Sequence, residues 1–305
     1  MLERDIRTSS AADNIAEIYD CDGFVFPIEI VSEAEARELR ADLELAEREL
    51  VGEPENLSLL LNYPVHLLPS FAKLIRHPRL LAAAEKILGP DLMVWGSHLF
   101  IKEAKTESFV SWHQDLTYWG LDDTEEVTAW FALSHSNVAN GCMRFVPGSQ
   151  HKKLLPHRDT ADENNLLSRG QELSVEVDDS KAVPIILKPG QISLHHGHLF
   201  HASGPNTTND RRIGAAIRYI KPSMKQRSGD KSLVAHVSGQ DQYGHFIVGA
   251  PPKERLPISN FELCRADIEI KSRVLYEGSQ LGGKSYWQNR LPSDIKELYA
   301  TGPAS

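Results

Sequence analysis

The triplet His113-Gln114-Asp115, with His201 and Arg212 far downstream, contains the residue types from which a metal site can be made. On an extended strand, residues i and i+2 point to the same face. His113 and Asp115 can therefore offer one imidazole and one carboxylate to a single point. A second imidazole from a distant strand would complete a two-histidine, one-carboxylate set. Such a set covers one side of a metal and leaves positions open, as expected of non-haem Fe(II) oxygenases. An arginine shortly after the second histidine suits a dicarboxylate co-substrate, because guanidinium binds carboxylate bidentately.

Two choices have to be made within this set. His195, His196, His198 and His201 crowd one stretch, and only one of them is needed as a ligand. His201 precedes Ala202-Ser203-Gly204-Pro205-Asn206, which turns the chain into its next strand and places His201 near a strand end. The other three histidines are expected to pack, to orient neighbours or to face solvent. Arg211 rivals Arg212, but side chains alternate along a strand and only one of the two can point inward. Arg212 shares its face with Gly214 and Ala216, which leave room for a ligand, whereas Arg211 sits at the turn. Tyr118 and Trp119 follow the triplet and read either as the wall of a substrate pocket or as ordinary core aromatics. Asn140-Gly141 reads as a hairpin turn. Lys221, Lys225, Arg227 and Lys231 form a basic stretch that reads as a solvated loop in preference to an anion attractor. Cys142 has no histidine base marked for it and reads as a packed thiol.

Helices and strands must position these groups. Residues 1–20 read as a polar lead-in and Gly23-Phe24-Val25-Phe26 as a strand. Ser32 and Glu35 form a capping box that opens an amphipathic helix over 33–50, with Leu39, Leu43, Ala46 and Leu50 at helical spacing. A second helix starts near Pro78 and stops at Gly89-Pro90. Strands follow at Leu92–Ile101, Phe109–Asp115, Val127–Leu133, Met143–Val146, Val183–Leu187, Gln191–His195 and Ile213–Ile220, separated by turn residues. Short strands with helices mostly before them predict a mainly β, jelly-roll-like core. Residues 157–182 are a long polar excursion, which fits a lid and a plain surface insertion equally.

The chain has 305 residues, 41% hydrophobic and 25% charged, which suits an ordinary globule with a core of useful size. A net charge of −9 argues against broad nucleic-acid or anionic-membrane binding. Three cysteines, Cys21, Cys142 and Cys264, are far apart and read as free thiols in a reducing compartment. No signal peptide or membrane span is visible, so a cytoplasmic protein is expected.

Three segments carry a family resemblance: Trp112-His113-Gln114-Asp115; the stretch Asn140-Gly141-Cys142-Met143-Arg144-Phe145-Val146-Pro147-Gly148-Ser149; and His201 to Asn206 with Arg212. With Asp22-Gly23-Phe24-Val25 they closely resemble the phytanoyl-CoA dioxygenase family over about residues 20–250. The resemblance implies a double-stranded β-helix (jelly-roll, cupin-like) with flanking helices, and Fe(II), 2-oxoglutarate and O2 as cofactor and co-substrates. It makes His113, Asp115 and His201 the iron ligands. It gives Arg212 the distal carboxylate of 2-oxoglutarate and places Ser203, Gln114 and Trp130 along the co-substrate pocket. The 2-oxo acid would chelate iron and be converted to succinate and CO2 as a C–H bond is oxidised. Halogenating relatives lack the carboxylate ligand, so Asp115 argues against halogenation.

The expectation is one domain over 1–305: a helical part over about 1–90, a β-helix core over about 91–222 and a C-terminal extension over about 223–305. The expected reaction is hydroxylation of a small organic molecule, such as a secondary-metabolite intermediate, an amino acid or a phosphonate. Desaturation, cyclisation and epimerisation remain alternatives, and nothing specific supports a CoA thioester. A zinc hydrolase on the same scaffold leaves Arg212 without a role. A non-catalytic jelly-roll binding protein is disfavoured by the intact ligand set. The sequence leaves the oligomeric state open.

Overall fold

A computed structural model of the chain describes residues 14–160 and 162–276. Most of the expected lead-in and the last part of the expected C-terminal extension, 277–305, lie outside the described residues. The lead-in does not extend to residue 20, because helix α1 (Ile15–Asp22) buries Ile15 and Tyr19. Strand β1 (Phe24–Glu29) follows. Helix α2 (Glu33–Glu49) begins at Ser32 with both bonds of the capping box, an arrangement worth about 1 kcal/mol. Three short helices not expected from the sequence come next, α3 (Pro54–Asn62), α4 (Pro64–Leu67) and α5 (Pro69–Leu74), each opened by proline. Helix α6 (Pro78–Leu88) ends at Gly89, as its sequence signals require.

The β part contains β2 (Leu92–Lys102), β3 (Val110–His113), β4 (Glu126–Ala132), β5 (Met143–Phe145), β6 (His157–Asp159) and β7 (Gln171–Leu173). It continues with β8 (Val183–Pro184), β9 (Gln191–His195), β10 (His201–Ser203), β11 (Arg212–Ile220), β12 (Leu233–Ser238) and β13 (Ile247–Val248), and helix α7 (Ile258–Leu275) closes the described chain. A seven-stranded sheet runs β1-β9-β4-β11-β2-β12-β13, a four-stranded sheet runs β3-β10-β5-β8, and β6 and β7 form a hairpin. The β core is therefore wider than the expected 91–222, because β1 pairs with β9, and β12 pairs with β2. The expected strand Val183–Leu187 shrinks to two residues. Pro184 has no N–H to continue a ladder.

Alternation along β11 explains how the layers stack. Ile213, Ala215, Ile217 and Tyr219 join the large core cluster with the helices, and the Tyr219 hydroxyl donates to Ile75 O in the turn after α5. Ala216, on the opposite parity, packs with Trp130 of β4 and with Met143 and Phe145 of the small sheet. Helices α3 and α4 lie against β2, and α6 against β4. The large sheet is thus covered by helices on one face and by the small sheet on the other, which gives a mainly β fold with flanking helices. Asn140-Gly141 is not a hairpin turn: it ends a 3-10 turn that carries the chain from one sheet to the other. Gly141 has φ +71°, and a Cβ there would stand 2.2 Å from Gly204 O, so only glycine fits. Cys142 and Cys264 are free thiols, both buried. Among the described residues no helix is long and apolar enough to cross a membrane.

Candidate active site

His113 ends β3 and His201 begins β10, and the two pair directly across the small sheet. Strand β3 is shorter than the expected 109–115. Gln114 stays extended and Asp115 opens a 3-10 turn, so the i, i+2 geometry survives past the end of the ladder. Asp115 Oδ1 lies 3.2 Å from His113 Nε2 and 3.8 Å from His201 Nε2. One donor atom from each of the three buried residues falls within 4.8 Å of the others, and this trio could hold a metal ion.

The donor chemistry fits a divalent ion. His113 Nδ1 lies 2.8 Å from Ser111 O, and His201 Nδ1 lies 2.9 Å from Leu199 O. A carbonyl only accepts, so each Nδ1 carries the proton and each Nε2 presents its lone pair toward Asp115. Burial, with the His113 ring nearby, pushes His201 down to about 4, so it is neutral and ready to ligate. Burial alone would raise Asp115, but its close polar surroundings, with the permanent charge of the Arg218 guanidinium, hold it well below the usual carboxylate range.

One cavity opens from this trio toward Arg212, with Trp130, Met143, Ser203 and Ala216 among its walls. Arg212 is 1% exposed. Its Nη2 donates to Gly141 O at 3.0 Å, its guanidinium sits 5.3 Å from the centre of the Trp130 ring, and its Nε has no hydrogen-bond partner. Among the described residues no carboxylate pairs with it. A buried cation without a counter-charge is costly, and a bound carboxylate would offset that cost. Arg211 faces the other way, bonded to Glu47 and Glu103. The space expected at Gly214 is not left for a ligand: Trp130 fills it, and a Cβ on Gly214 would stand 1.8 Å from the indole. Ala216 does border the cavity.

Gln114 is not brought to the cavity. It lies between the two ligands and points to the opposite side, where its Nε2 donates to His198 O and its Oε1 accepts from Leu155 N. His195, His196 and His198 stay outside the trio. His195 packs its ring 5.1 Å from that of His201, and the other two lie in the turn before it.

Lys102 was not singled out by the sequence. It is fully buried, opposite Arg212 in the ladder, and its Nζ donates to Ser203 Oγ at 2.7 Å and to Gly204 O. Burial and the Arg212 charge lower it to about 5. A period-two pattern on β2 puts Lys102 on the inward face with His98 and Phe100, but a lysine at a strand end reads as exposed.

A second cavity meets the trio from the other side, with Trp95, His98, Tyr118, Trp119, Gln171 and Arg218 among its walls. Tyr118 and Trp119 both line it, and Trp119 stacks on Trp95 at 5.2 Å. The 157–182 segment is tied down against β3. Asn165 Nδ2 donates to Ser111 Oγ at 2.8 Å, Ser111 Oγ donates to Gln171 O, and Leu167 and Ser168 border the cavity. The basic stretch divides: Lys221 pairs with Glu125, whereas Arg227 borders an outer cavity that shares Tyr118 and Leu275 with the second one.

A family model described as phytanoyl-CoA dioxygenase matches residues 19–214. An ectoine dioxygenase of Bordetella parapertussis is 26% identical over 200 residues, covering 61% of this chain and 64% of the relative. A probable alpha-ketoglutarate-dependent hypophosphite dioxygenase of Stutzerimonas stutzeri is 25% identical over 170 residues, covering 55% of this chain and 59% of the relative. The matched region spans less than two thirds of the length of both relatives. Among solved structures, the non-heme monooxygenase ThoJ in its apo form superposes with a TM-score of 0.79 at 31% identity, covering 87% of this chain and 99% of that chain.

Proposed function

The chain belongs to the phytanoyl-CoA dioxygenase family, and on that premise we propose that it is an Fe(II)- and 2-oxoglutarate-dependent dioxygenase that hydroxylates a small organic molecule. The observation that carries this reading is one cavity with the two-histidine, one-carboxylate trio at one end and, at the other, the buried Arg212 guanidinium, which has no carboxylate partner among the described residues. In this reading the two facing sheets are the halves of a double-stranded β-helix within a single catalytic domain.

Bound Fe(II), 2-oxoglutarate and O2 would supply the oxidising power for C–H cleavage, with succinate and CO2 as by-products. The chain's own residues bind and shield. His113, Asp115 and His201 hold the ion, with the imidazole tautomers fixed by Ser111 O and Leu199 O. Arg212, over Trp130 and beside Ser203, takes the distal carboxylate of 2-oxoglutarate. Tyr118, Trp119 and the 157–182 segment wall the substrate side, where they limit water and present the target bond. The cavity between Trp95, Trp119 and Leu167 suits an organic skeleton with polar groups at its edge, such as a secondary-metabolite intermediate or an amino acid.

Anaerobic addition of Fe(II) and 2-oxoglutarate should produce a visible metal-to-ligand charge-transfer band. Asp115→Ala should lose both the band and turnover, followed as succinate formation across a substrate panel. Binding of both without a band would overturn the reading.

A further inference from the structure

Arg218 sits where the two cavities meet and lines both of them. It stands on the same face of β11 as Arg212, six residues further on. The two oxygens of Asp115 face different neighbours. Oδ1 lies 3.2 Å from His113 Nε2 and 3.8 Å from His201 Nε2, whereas Oδ2 lies 3.9 Å from Arg218 Nη2. Arg218 is itself fixed: Nη1 meets His98 Nδ1, and the guanidinium carbon sits 4.8 Å from the centre of the Trp119 ring, which stacks on Trp95.

We infer that Arg218 is a positioning residue that reserves Oδ2 of Asp115 and leaves Oδ1 alone to face the metal. The inference rests on the metal-site reading above. A carboxylate with both oxygens free can ligate through one or two of them. A second oxygen on the ion would consume a position that a chelating 2-oxo acid and O2 require. The guanidinium holds the carboxylate by charge across 3.9 Å while its other amino group meets His98, so the planar group serves both neighbours at once. An ammonium at the same place would keep the charge and lose the fork.

The test is a titration of the metal-free full chain with Co(II), read by calorimetry and by visible d–d absorption, with no substrate present. Wild type should bind one Co(II). Arg218→Met should bind it about ten- to a hundredfold more weakly and with an altered d–d band, the range typical when a partner behind a metal ligand is lost. Arg218→Lys should recover part of the affinity. Addition of 2-oxoglutarate to the Co(II)-loaded variants should show weaker binding in the same order. If Arg218→Met does not fold by circular dichroism, Arg218→Lys alone decides, with a smaller loss of affinity expected. Folded variants within twofold of wild type and with an unchanged spectrum would overturn the inference and leave the metal site standing. Failure of the wild type to bind Co(II) would overturn both.

Discussion

Lys102 and Arg212 face each other across β2 and β11, two buried basic side chains with no carboxylate partner among the described residues. The structure keeps this pair by leaving the amine neutral: burial, with the Arg212 charge adding to it, brings Lys102 to about 5. A dicarboxylate on Arg212 reverses the second influence and draws a proton onto the amine. Binding of 2-oxoglutarate above pH 5 should therefore be accompanied by net proton uptake, at most one proton per site, read by calorimetry in buffers of different ionisation enthalpy. Affinity should rise as pH falls from the ordinary lysine range toward 5. Lys102→Met should abolish the uptake. Proton release by wild type, or uptake undiminished in the variant, would count against this account. At this scale the sequence was half legible. Parity separated Arg212 from Arg211, because alternation depends only on the strand. The family resemblance misled at Gln114, which it placed along the co-substrate pocket and which alternation turns away. Lys102 and Arg218 stayed hidden because their environment comes from other strands.

Strand β11 separates two electrostatic worlds with one residue step. Arg212 points into the cavity, and Arg211 points out, bonded to Glu47 of α2 at 2.8 Å and to Glu103 at 3.0 Å. Arg40 of α2 bonds Asp210 from the same side. The network thus fastens α2 to the turn that introduces β11. Arg211→Ala should cost about 1 kcal/mol of stability by denaturant titration, as a partly exposed network does, and leave 2-oxoglutarate affinity within about twofold. A loss of 2-oxoglutarate affinity matching that of Arg212→Ala would contradict this division of labour. Elements with strong local signals were legible: α2 from Ser32 and Glu35, α6 from Pro78 and Gly89, β11 from its apolar run. Helices α3 to α5 were not, because pieces of four to nine residues show too few turns for a period to stand out. Their stability comes from burying residues such as Leu59, Leu60 and Phe71 in the large core cluster, at about 1.5–3 kcal/mol each.

At the scale of the whole molecule, Glu126 joins parts that are distant in sequence. The Tyr19 hydroxyl of α1 donates to its backbone oxygen at 3.1 Å, and its buried carboxyl group accepts from Gly197 N at 2.5 Å, in the turn that leads to His201. Leu116, next to Asp115, donates from its backbone to Gly197 O, so both ends of the metal trio are tied to this turn. Such a junction is invisible in sequence, where Glu126 reads as the polar start of a strand, although the sheets it serves were foreseen from turn spacing. Burial pushes its carboxyl up to about 8, with the nearby Asp115 charge adding to the shift. Between the ordinary carboxylate range and about 8, the folded protein keeps a proton that the unfolded chain has lost. Stability of the metal-free protein should therefore fall as pH rises through that window, by at most about 1.4 kcal/mol per pH unit from this group. Glu126→Gln keeps an oxygen for Gly197 N and cannot ionise. It should melt at a higher temperature than wild type at pH 8, and the difference should shrink toward pH 5. A difference independent of pH would mean that the carboxyl is already ionised in the folded state. In that event the turn carrying His201 would be held by a permanent buried charge rather than by a neutral acid.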